Sequence, residues 1–236
     1  PELRQYFLES DTEAAPFSRA QRTLVYARAK GQADKRPFGT QLNVNQPGYE
    51  WLHHAMVPKH LTSSDFRITV GGSQCTQPYE MSLFNISAMS FGALSANAIQ
   101  ALNRGAAIGR FAHDTGEGSI SVHHEKHGGD LIWEIGSGYF GCRNEQGQFD
   151  PERFKATAAH AQVKMIEIKL SQGAKPGHGG VFTGAKVSSE IARARGVPVG
   201  VDCVSLATHS AFYTPTALVQ FITQLRELSR AKPVGF

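Results

Sequence analysis

A glycine-rich turn at residues 169–180 constrains the fold of this sequence more than any other stretch. An apolar run at 165–168 precedes it with the alternation of a β-strand, and a helical pattern that Gly196 closes follows it. Four glycines among the eight residues 173–180 let a backbone approach a ligand without Cβ clashes. Because α/β proteins bind ligands at the carboxyl ends of their strands, the turn is predicted to be a binding loop.

The same turn has a simpler interpretation, in which Lys169 and Lys175 only point into water. Few strand–helix turns need this many glycines, so we favour the binding loop. A phosphate-binding P-loop is excluded, because no Lys-Ser or Lys-Thr pair follows the glycines.

The composition is that of an ordinary globular protein, with 236 residues of which 41% are hydrophobic and 19% charged. A chain of this length buries a full core as one or two domains. It contains no run of about 18 apolar residues and no secretory signal, so no membrane-spanning segment is predicted. The net charge of +4 is spread along the chain, which argues against nucleic acid and suits an anionic cofactor or a dicarboxylate substrate.

Cysteine and histidine usage gives no metal site. Cys75, Cys142 and Cys203 lie far apart and form no Cys-x-x-Cys pair, so no zinc or iron–sulfur site is predicted within the chain. An odd cysteine count without a disulfide framework favours a reducing, cytoplasmic setting. His123 and His127 have the spacing of a metal-binding helix face. Glycines follow at once and no third ligand is evident, so a polar loop without a metal is predicted there.

The order of the predicted elements defines the fold class. Residues 1–80 form an irregular lead-in with one helix from Pro16 to Lys30, which Gly31 ends. From residue 81 strands alternate with helices, which predicts an α/β fold with a parallel sheet under helical cover. About four strand–helix units follow, half of the eight in a (β/α)8 barrel. The predicted strands lie at 81–86, 110–113, 131–135, 165–168 and 197–204, and the helices at 95–108, 150–163, 185–195 and from 214 onward.

Three strand ends carry unusual turns, at 87–92, 114–118 and 169–180. If their strands are neighbours in one parallel sheet, the three turns open on the same rim. That rim then holds hydroxyl groups, the Glu117 carboxylate and two ammonium groups around space lined by glycine. Such a set suits a planar anionic cofactor together with a small acid.

The same turns carry a resemblance to a known family. The motifs are Ser-Ala-Met-Ser-Phe-Gly-Ala-Leu-Ser at 87–95, Thr-Gly-Glu-Gly at 115–118, and Lys-x-x-Gln-Gly-Ala-Lys-Pro-Gly-x-Gly-Gly at 169–180. In this order and at this spacing they resemble the FMN-binding synthase domain of glutamate synthases. The first 80 residues, with Arg-Gln-Tyr-Phe at 4–7 and Arg-Pro-Phe-Gly-Thr at 36–40, resemble the lead-in of the stand-alone branch, which lacks a glutaminase domain. The resemblance to the synthase domain covers residues 81–236. It implies a (β/α)8 barrel with FMN at its carboxyl rim, of which this chain holds the first half and lacks the carboxyl-terminal part.

The resemblance also implies an oxidoreductase reaction. In that family 2-oxoglutarate and ammonia form 2-iminoglutarate, and reduced FMN delivers the hydride that gives L-glutamate. An electron-donor protein or reductase and a source of ammonia are the implied partners, and the oligomeric state is left open. The cysteines of an iron–sulfur cluster and the flavin-phosphate site are expected beyond Phe236, so the isolated segment is expected to be inactive. Tethering to a membrane by upstream sequence is left open.

The resemblance implies which residues of this sequence contact the flavin. Thr115 and Gln172 are implied to hydrogen-bond the flavin or the substrate. Lys169 is implied to lie at the pyrimidine edge, where a cation stabilises the reduced anionic ring. The turn implied to lie against the flavin ring consists of Ser87, Ala88, Met89 and Ser90.

The substrate contacts and the catalytic groups follow from the same motifs. Lys175 is implied to pair with a substrate carboxylate, and Gly116 to line the substrate site. Glu117 is implied to face the imine carbon and to transfer protons, which makes it the catalytic residue together with Lys169.

Two positions depart from the family's pattern. His178 stands where the family has a glutamate, and Val181 stands where a glutamine contacts the substrate. Val181 leaves open a flavoenzyme of the same fold that acts on another amino or keto acid, such as one that forms N-methylglutamate. A non-catalytic truncated domain that serves only assembly is the second alternative.

Overall fold

The computed structural model describes residues 17–33, 43–63, 65–173 and 177–236. The chain divides into two compact units, Pro1–His60 and Leu61–Phe236. The division after residue 80, which separates the lead-in from the synthase domain, stays a prediction. None of the helices within the described ranges is both long enough and apolar enough to cross a membrane.

In the first unit the described residues contain helix α1 (Arg19–Ala29). A capping box closes its first turn: Gln21 N–H donates to Ser18 Oγ at 3.3 Å, and Ser18 N–H donates to Gln21 Oε1 at 2.8 Å. The helix ends before Gly31, which has a φ of +66°, as predicted. The predicted start at Pro16 lies outside the described residues.

The second unit combines helices with one parallel sheet and two antiparallel strand pairs among its described residues. In chain order its elements are β1 (Arg67–Val70), β2 (Tyr79–Ser82), α2 (Ala96–Gly109), β3 (His113–Asp114), α3 (Val122–Glu125), β4 (Leu131–Ile135), α4 (Pro151–Ala158), β5 (Val163–Ile168), β6 (Val181–Phe182), a 3-10 helix (Gly184–Lys186), α5 (Ser189–Arg195), β7 (Cys203–Val204), α6 (Pro215–Leu228) and β8 (Val234–Gly235).

The parallel sheet has the strand order β3-β4-β5-β8, so its strands are neighbours in the order of the chain. The pairing of β4 with β5 runs from Leu131 opposite Val163 to Ile135 opposite Ile168. At the other edge, Ile86 adds a single parallel bridge to β3. The predicted α/β class with a parallel sheet is confirmed.

The strand predicted at 81–86 is wrong in part. Met81 and Ser82 end β2, which pairs antiparallel with β1, and the chain then turns. Asn85 makes this turn, because its Nδ2 donates to Ser82 O at 2.7 Å and its Oδ1 accepts the Ala112 N–H at 3.0 Å. Side-chain hydrogen bonds to the backbone therefore replace strand pairing at this point.

The strand predicted at 197–204 is also wrong in part. Only its last two residues form a strand, β7, which pairs antiparallel with β6 outside the parallel sheet. Pro198 has no N–H to donate, and Gly200 has a φ of +75°, so neither residue continues a strand pairing. The next strand of the parallel sheet is β8 instead.

The predicted helix starts are confirmed at three N-caps. Ser95 Oγ, Thr214 Oγ1 and Asp150 Oδ1 each accept N–H groups from the first turn of the helix that follows, at 2.9–3.2 Å. The end of α4 was predicted at about residue 163, whereas the helix ends at Ala158 because Val163 is already the first residue of β5.

The main core contains residues of β4, β5, α4 and α6. Trp133 of β4 stacks on Phe154 of α4, with ring centroids 5.3 Å apart. Phe149 contacts the Phe154 ring at 5.6 Å and the Phe221 ring of α6 at 5.0 Å, so aromatic contacts connect the sheet to both helices. The apolar face of α6 packs here and consists of Leu218, Phe221, Ile222, Leu225 and Leu228.

Replacing Leu225 with Ala is expected to lower the free energy of unfolding by about 2–5 kcal/mol, because this side chain is fully buried and its loss leaves a cavity. Val219→Ala on the same helix is the matched control, since Val219 is 62% exposed. Its effect should stay within about 0.5 kcal/mol. Urea denaturation followed by circular dichroism measures both changes. Equal effects of the two substitutions would show that α6 does not pack as described.

Candidate active site

Several turns meet at the carboxyl ends of the parallel strands. Because β3, β4 and β5 are parallel neighbours, the turns that follow them leave the sheet at the same edge. The turn at 87–92 joins them, since Met89 N–H donates to Asp114 O at 3.1 Å. The predicted convergence of the three motif-bearing turns is confirmed for their described residues.

Gly116 permits the turn at 114–118 to lie close to the turn at 87–92. Its φ is +66°, and a Cβ on it would lie 2.8 Å from Ser90 N. A side chain at this position would therefore collide with the backbone of the 87–92 turn. The implied role of Gly116 in substrate binding stays a prediction.

The Glu117 carboxylate is held where the turns meet. The side-chain amide of Gln172 donates from Nε2 to both of its oxygens, at 3.1 Å and 3.0 Å. Two glycines limit the space around it: a Cβ on Gly136 would lie 2.6 Å from Glu117 Oε2, and a Cβ on Gly180 would lie 3.2 Å from Oε1. One half-buried carboxylate thus contacts the turns that follow β4 and β5.

Lys169 lies at the end of β5, with its ammonium nitrogen 3.6 Å from Glu134 Oε1. The Lys169 side chain is 27% exposed, whereas that of Glu134 is 5% exposed. The ion pair is loose, and Glu134 Oε1 has no hydrogen-bond partner among the described residues. The backbone of Lys169 is fixed on both sides, since its N–H donates to Ile135 O at 2.9 Å and its carbonyl accepts from His209 Nε2 at 2.8 Å.

Glu134 belongs to a group of three carboxyl side chains, one from each of β3, β4 and β5. Oxygens of Asp114, Glu134 and Glu167 lie within 4.8 Å of one another. Burial and then the Glu134 charge raise the pKa of Asp114 to about 8. Burial also raises the pKa of Glu134, although Lys169 opposes this shift. The raised pKa values and the neighbouring Lys169 ammonium both reduce the repulsion among these acids.

Sequence reasoning missed this carboxyl cluster. Each acid stands inside or at the end of an apolar strand run, which is a signal of an inward-facing polar group. Only the strand register shows that the acids meet, because it places Glu134 directly opposite Glu167 and β3 beside β4.

The implied flavin-binding residues differ in exposure. Thr115 is fully buried, and its hydroxyl donates to Gly116 O at 3.0 Å and accepts the Glu134 N–H at 3.1 Å. The structure therefore uses this hydroxyl within the sheet, and a contact with flavin or substrate stays a prediction. Lys175 lies outside the described residues. The implied flavin turn, exposed at its first two residues and partly buried at the next two, consists of Ser87, Ala88, Met89 and Ser90.

His209 and Tyr139 hold the backbone of Lys169 in place. The His209 ring donates from Nε2 to Lys169 O and accepts at Nδ1 from the Tyr139 hydroxyl at 3.1 Å. The Tyr139 oxygen in turn accepts the Ala211 N–H at 3.1 Å. Burial lowers the pKa of His209, which keeps the ring neutral as these bonds require. The sequence indicates only that Tyr139 packs in the core or lines the flavin mouth, and it does not show this contact with His209.

Arg195 is another residue that sequence reasoning missed. It is 5% exposed, and its guanidinium lies over the rings of Phe140 and Phe182, at 5.0 Å and 4.7 Å from their centroids. A Cβ on Gly118 would lie 3.1 Å from Arg195 Nη2, so the guanidinium packs against the turn that carries Glu117. A cation in the last turn of a helix is typical of a surface position, so the sequence carries no signal of this burial.

The polar loop predicted at 123–127 is wrong in part. Its first residues belong to α3, and His124 is fully buried. The His124 ring hydrogen-bonds Ser121 Oγ at 2.8 Å through Nδ1 and donates from Nε2 to Met89 O at 3.0 Å. Burial lowers the pKa of His124 to about 4, so a neutral ring supports the 87–92 turn.

The fold and the rim together define a parallel α/β protein with a candidate ligand site at the carboxyl ends of its strands. Residues 55–236 match a protein family described as a conserved region in glutamate synthase. The chain belongs to the glutamate synthase family.

Curated relatives are similar over much of the chain. The glutamate synthase large subunit-like protein YerD of Bacillus subtilis (strain 168) is 33% identical over 276 aligned positions, which cover 100% of this chain and 52% of YerD. The archaeal-type glutamate synthase (NADPH) of Thermotoga maritima is 38% identical over 151 residues, 63% of this chain and 27% of the relative. The archaeal glutamate synthase (NADPH) of Methanocaldococcus jannaschii is 36% identical over 150 residues, with the same two shares of 63% and 27%. The chain thus spans 52% of the length of the first relative and 27% of the other two.

Asp114→Asn is expected to make the stability of the protein less dependent on pH. The pKa of Asp114 is about 8 in the folded chain, whereas an unfolded chain has about 3.9 for this side chain. Between these values the folded state keeps a proton that the unfolded state releases. The stability that the protonated group contributes is therefore lost as the pH rises from about 4 through about 8.

Thermal unfolding between pH 7 and pH 8 measures this effect. As the pH rises, ionisation of Asp114 should lower the free energy of unfolding of the wild type by up to about 1.4 kcal/mol per pH unit. The free energy of unfolding of the Asn variant should depend less on pH. Glu145→Gln, at an exposed carboxyl group, is the control and should keep the slope of the wild type. Parallel profiles for the wild type and Asp114→Asn would contradict a protonated acid at this position.

Proposed function

We propose that this chain is part of an FMN-dependent oxidoreductase that forms L-glutamate by reductive amination of 2-oxoglutarate through 2-iminoglutarate. One observation carries the proposal: the acid, amide and amine of the family's motifs, Glu117, Gln172 and Lys169, come together at one edge of a parallel sheet. A carboxylate suits proton transfer, and an ammonium suits a reduced ring or a substrate acid.

The strand order supports the first half of a (β/α)8 barrel. The bridge at Ile86 and then β3, β4, β5 and β8 are parallel neighbours in chain order, as successive barrel strands are. The relatives are longer than this chain. We assign the remaining strands, the flavin-phosphate site and an iron–sulfur cluster to the rest of the whole protein.

The groups at the rim suit FMN. Lys169 offers a cation, and Glu134 Oε1 is a buried acceptor without a hydrogen-bond partner among the described residues. Ser87 offers an exposed hydroxyl, and the small side chain of Ala88 beside it is exposed as well. The pyrimidine edge of a flavin carries acceptors and an N–H donor, which these groups complement. When bound, FMN would supply the hydride that reduces the imine.

Glu117 is proposed to transfer protons while the imine forms. Imine formation expels water from the adduct of ammonia and the keto group, and this step needs a proton donor and acceptor. A carboxylate held by a neutral amide also keeps a negative charge near the iminium, which that charge stabilises. Lys175 and Gly116 are proposed to bind the dicarboxylate substrate.

The electron donor is proposed to be NADPH, used directly or through a reductase. The relatives from Thermotoga maritima and Methanocaldococcus jannaschii carry NADPH in their names, which supports this choice. Ammonia, free or from a donating partner, completes the reaction. A cytoplasmic location agrees with these reactants.

Two measurements on the full-length protein test the proposed function. Denaturation should release FMN, and turnover should require 2-oxoglutarate and ammonia. Methylamine is the sharpest competing substrate, because Val181 replaces the glutamine that the resemblance implies as a substrate contact. A preference for methylamine would favour an N-methylglutamate-forming enzyme. A protein without flavin would favour a non-catalytic domain.

Glu117→Gln should lower kcat by about 10²–10⁴-fold, the range for the loss of a general acid–base group. Glutamine keeps the size of the side chain and can still accept from Gln172, so flavin content and thermal stability should stay near those of the wild type. Steady-state kinetics and flavin absorbance measure the two effects. Glu145→Gln serves as the surface control. If Glu117→Gln turns over normally, Glu117 does not transfer protons and has only a structural role.

Lys175→Ala should raise KM for 2-oxoglutarate far more than it changes flavin content. Loss of an ammonium that binds a desolvated carboxylate costs about 2–4 kcal/mol, or about 30–900-fold in affinity. Lys155→Ala, on the exposed side of α4, controls for the loss of one positive charge. A Lys175 variant with an unchanged KM and no bound flavin would show that this lysine serves the cofactor.

A further inference from the structure

We propose that Gln172 is a positioning residue, whose side-chain amide fixes the direction of the Glu117 carboxylate for proton transfer. This role rests on the proposed function, in which Glu117 transfers protons. It differs from the contact with flavin or substrate that the family resemblance implies for Gln172.

A single amide nitrogen contacts both oxygens of the carboxylate. Gln172 Nε2 lies 3.1 Å from Glu117 Oε1 and 3.0 Å from Oε2, so the amide approaches the carboxylate nearly symmetrically. The last torsion of a glutamate side chain is otherwise broad and roughly two-fold. Hydrogen bonds to a charged acceptor are stronger than those between neutral groups, so this contact can hold one orientation.

Two glycines confine the same pair of side chains. A Cβ on Gly136 would lie 2.6 Å from Glu117 Oε2, closer than neighbouring heavy atoms tolerate. A Cβ on Gly180 would lie 3.2 Å from Glu117 Oε1 and 3.4 Å from Gln172 Nε2, so Gly180 packs against both partners. The carboxylate therefore fits a narrow space in which its direction depends on the amide.

The neutral amide has a chemical advantage over a cationic partner. An ammonium or guanidinium at this position would form an ion pair and weaken the carboxylate as a proton acceptor. An amide orients the group without neutralising it. Lys169 lies beside Glu134, and Arg195, whose guanidinium lies over Phe140 and Phe182, packs against Gly118 next to Glu117 without a hydrogen bond to its carboxylate among the described contacts.

Gln172→Met in the full-length protein tests this role, because it removes the donor and keeps the length of the side chain. We expect kcat to fall about 10–100-fold, as for a misplaced catalytic group, while KM for 2-oxoglutarate and flavin content change less than about 2-fold. In the Glu117→Gln background the same substitution should change kcat by less than about 2-fold, because Gln172 acts through Glu117.

Gln162→Met is the matched control. Gln162 immediately precedes β5, and its Nε2 donates to Gly129 O at 2.9 Å at the other end of that strand. This variant also loses one glutamine hydrogen bond, so it should show a comparable change in thermal stability with an unchanged kcat. If Gln172→Met does not fold, Gln172→Ala allows the same comparisons, because Gln172 is only partly buried and a smaller side chain fits.

Infrared difference spectra give a readout that does not depend on turnover. Subtracting the spectrum of Glu117→Gln from that of the wild type isolates the carboxylate band of Glu117. In the Gln172→Met background, the same subtraction should show the Glu117 band at a shifted frequency. In the Gln162→Met background, the band should keep the frequency that it has in the wild type. A shifted band in a protein that does not turn over 2-oxoglutarate would reject the proposed reaction and retain the positioning contact.

Three results would overturn the positioning role. An unshifted Glu117 band would show that the amide does not hold the carboxylate. The two residues would act independently if the fall in kcat of the double variant equalled the product of the falls in Gln172→Met and Glu117→Gln. Loss of flavin with a normal kcat per bound flavin would assign Gln172 to the cofactor.

Discussion

Hydrogen bonds between β4 and β5 align the two strands along their length, and this alignment decides which side chains reach the carboxyl edge. Trp133 and Ile166 lie opposite each other and are fully buried, so a slip of one residue would turn a packed face away from the core. The same register places Glu134 opposite Glu167 and brings Lys169 to the end of its strand beside Glu134. Packing of the core therefore sets the geometry of the rim before any ligand binds.

The rim contains buried ionisable side chains whose charged forms are costly to bury. Asp114 and Glu134 are acids whose ionised forms burial disfavours. His113 is fully buried, and neither of its ring nitrogens has a hydrogen-bond partner among the described residues. Burial lowers the pKa of His113 to about 4, which keeps the ring neutral. Stacking of Trp133 on Phe154 and the rest of the apolar core offset these groups, and such a concentration of costly residues is typical of a functional site.

Local features of this structure could be predicted from the sequence, and features that depend on distant partners could not. The three N-caps of α2, α4 and α6 were predictable because each cap bonds the turn that follows it. The convergence of the rim turns was predictable because strands of an α/β sheet tend to follow chain order. The stretches 81–86 and 197–204 were misassigned because strand character does not reveal the pairing partner. Burial of Thr115 and His124 depends on which side of a turn faces the sheet, and the sequence does not show this.

The two opposite charges of the rim have separate partners. Glu117 accepts from the neutral amide of Gln172, whereas Lys169 lies beside Glu134. A direct ion pair between Glu117 and Lys169 would satisfy both groups and leave neither for a ligand. Burial raises the pKa of Glu134, although the Lys169 ammonium beside it opposes this shift. A side chain at Gly136 would collide with the Glu117 carboxylate, so the contact between Glu117 and the Gln172 amide requires a glycine at this position.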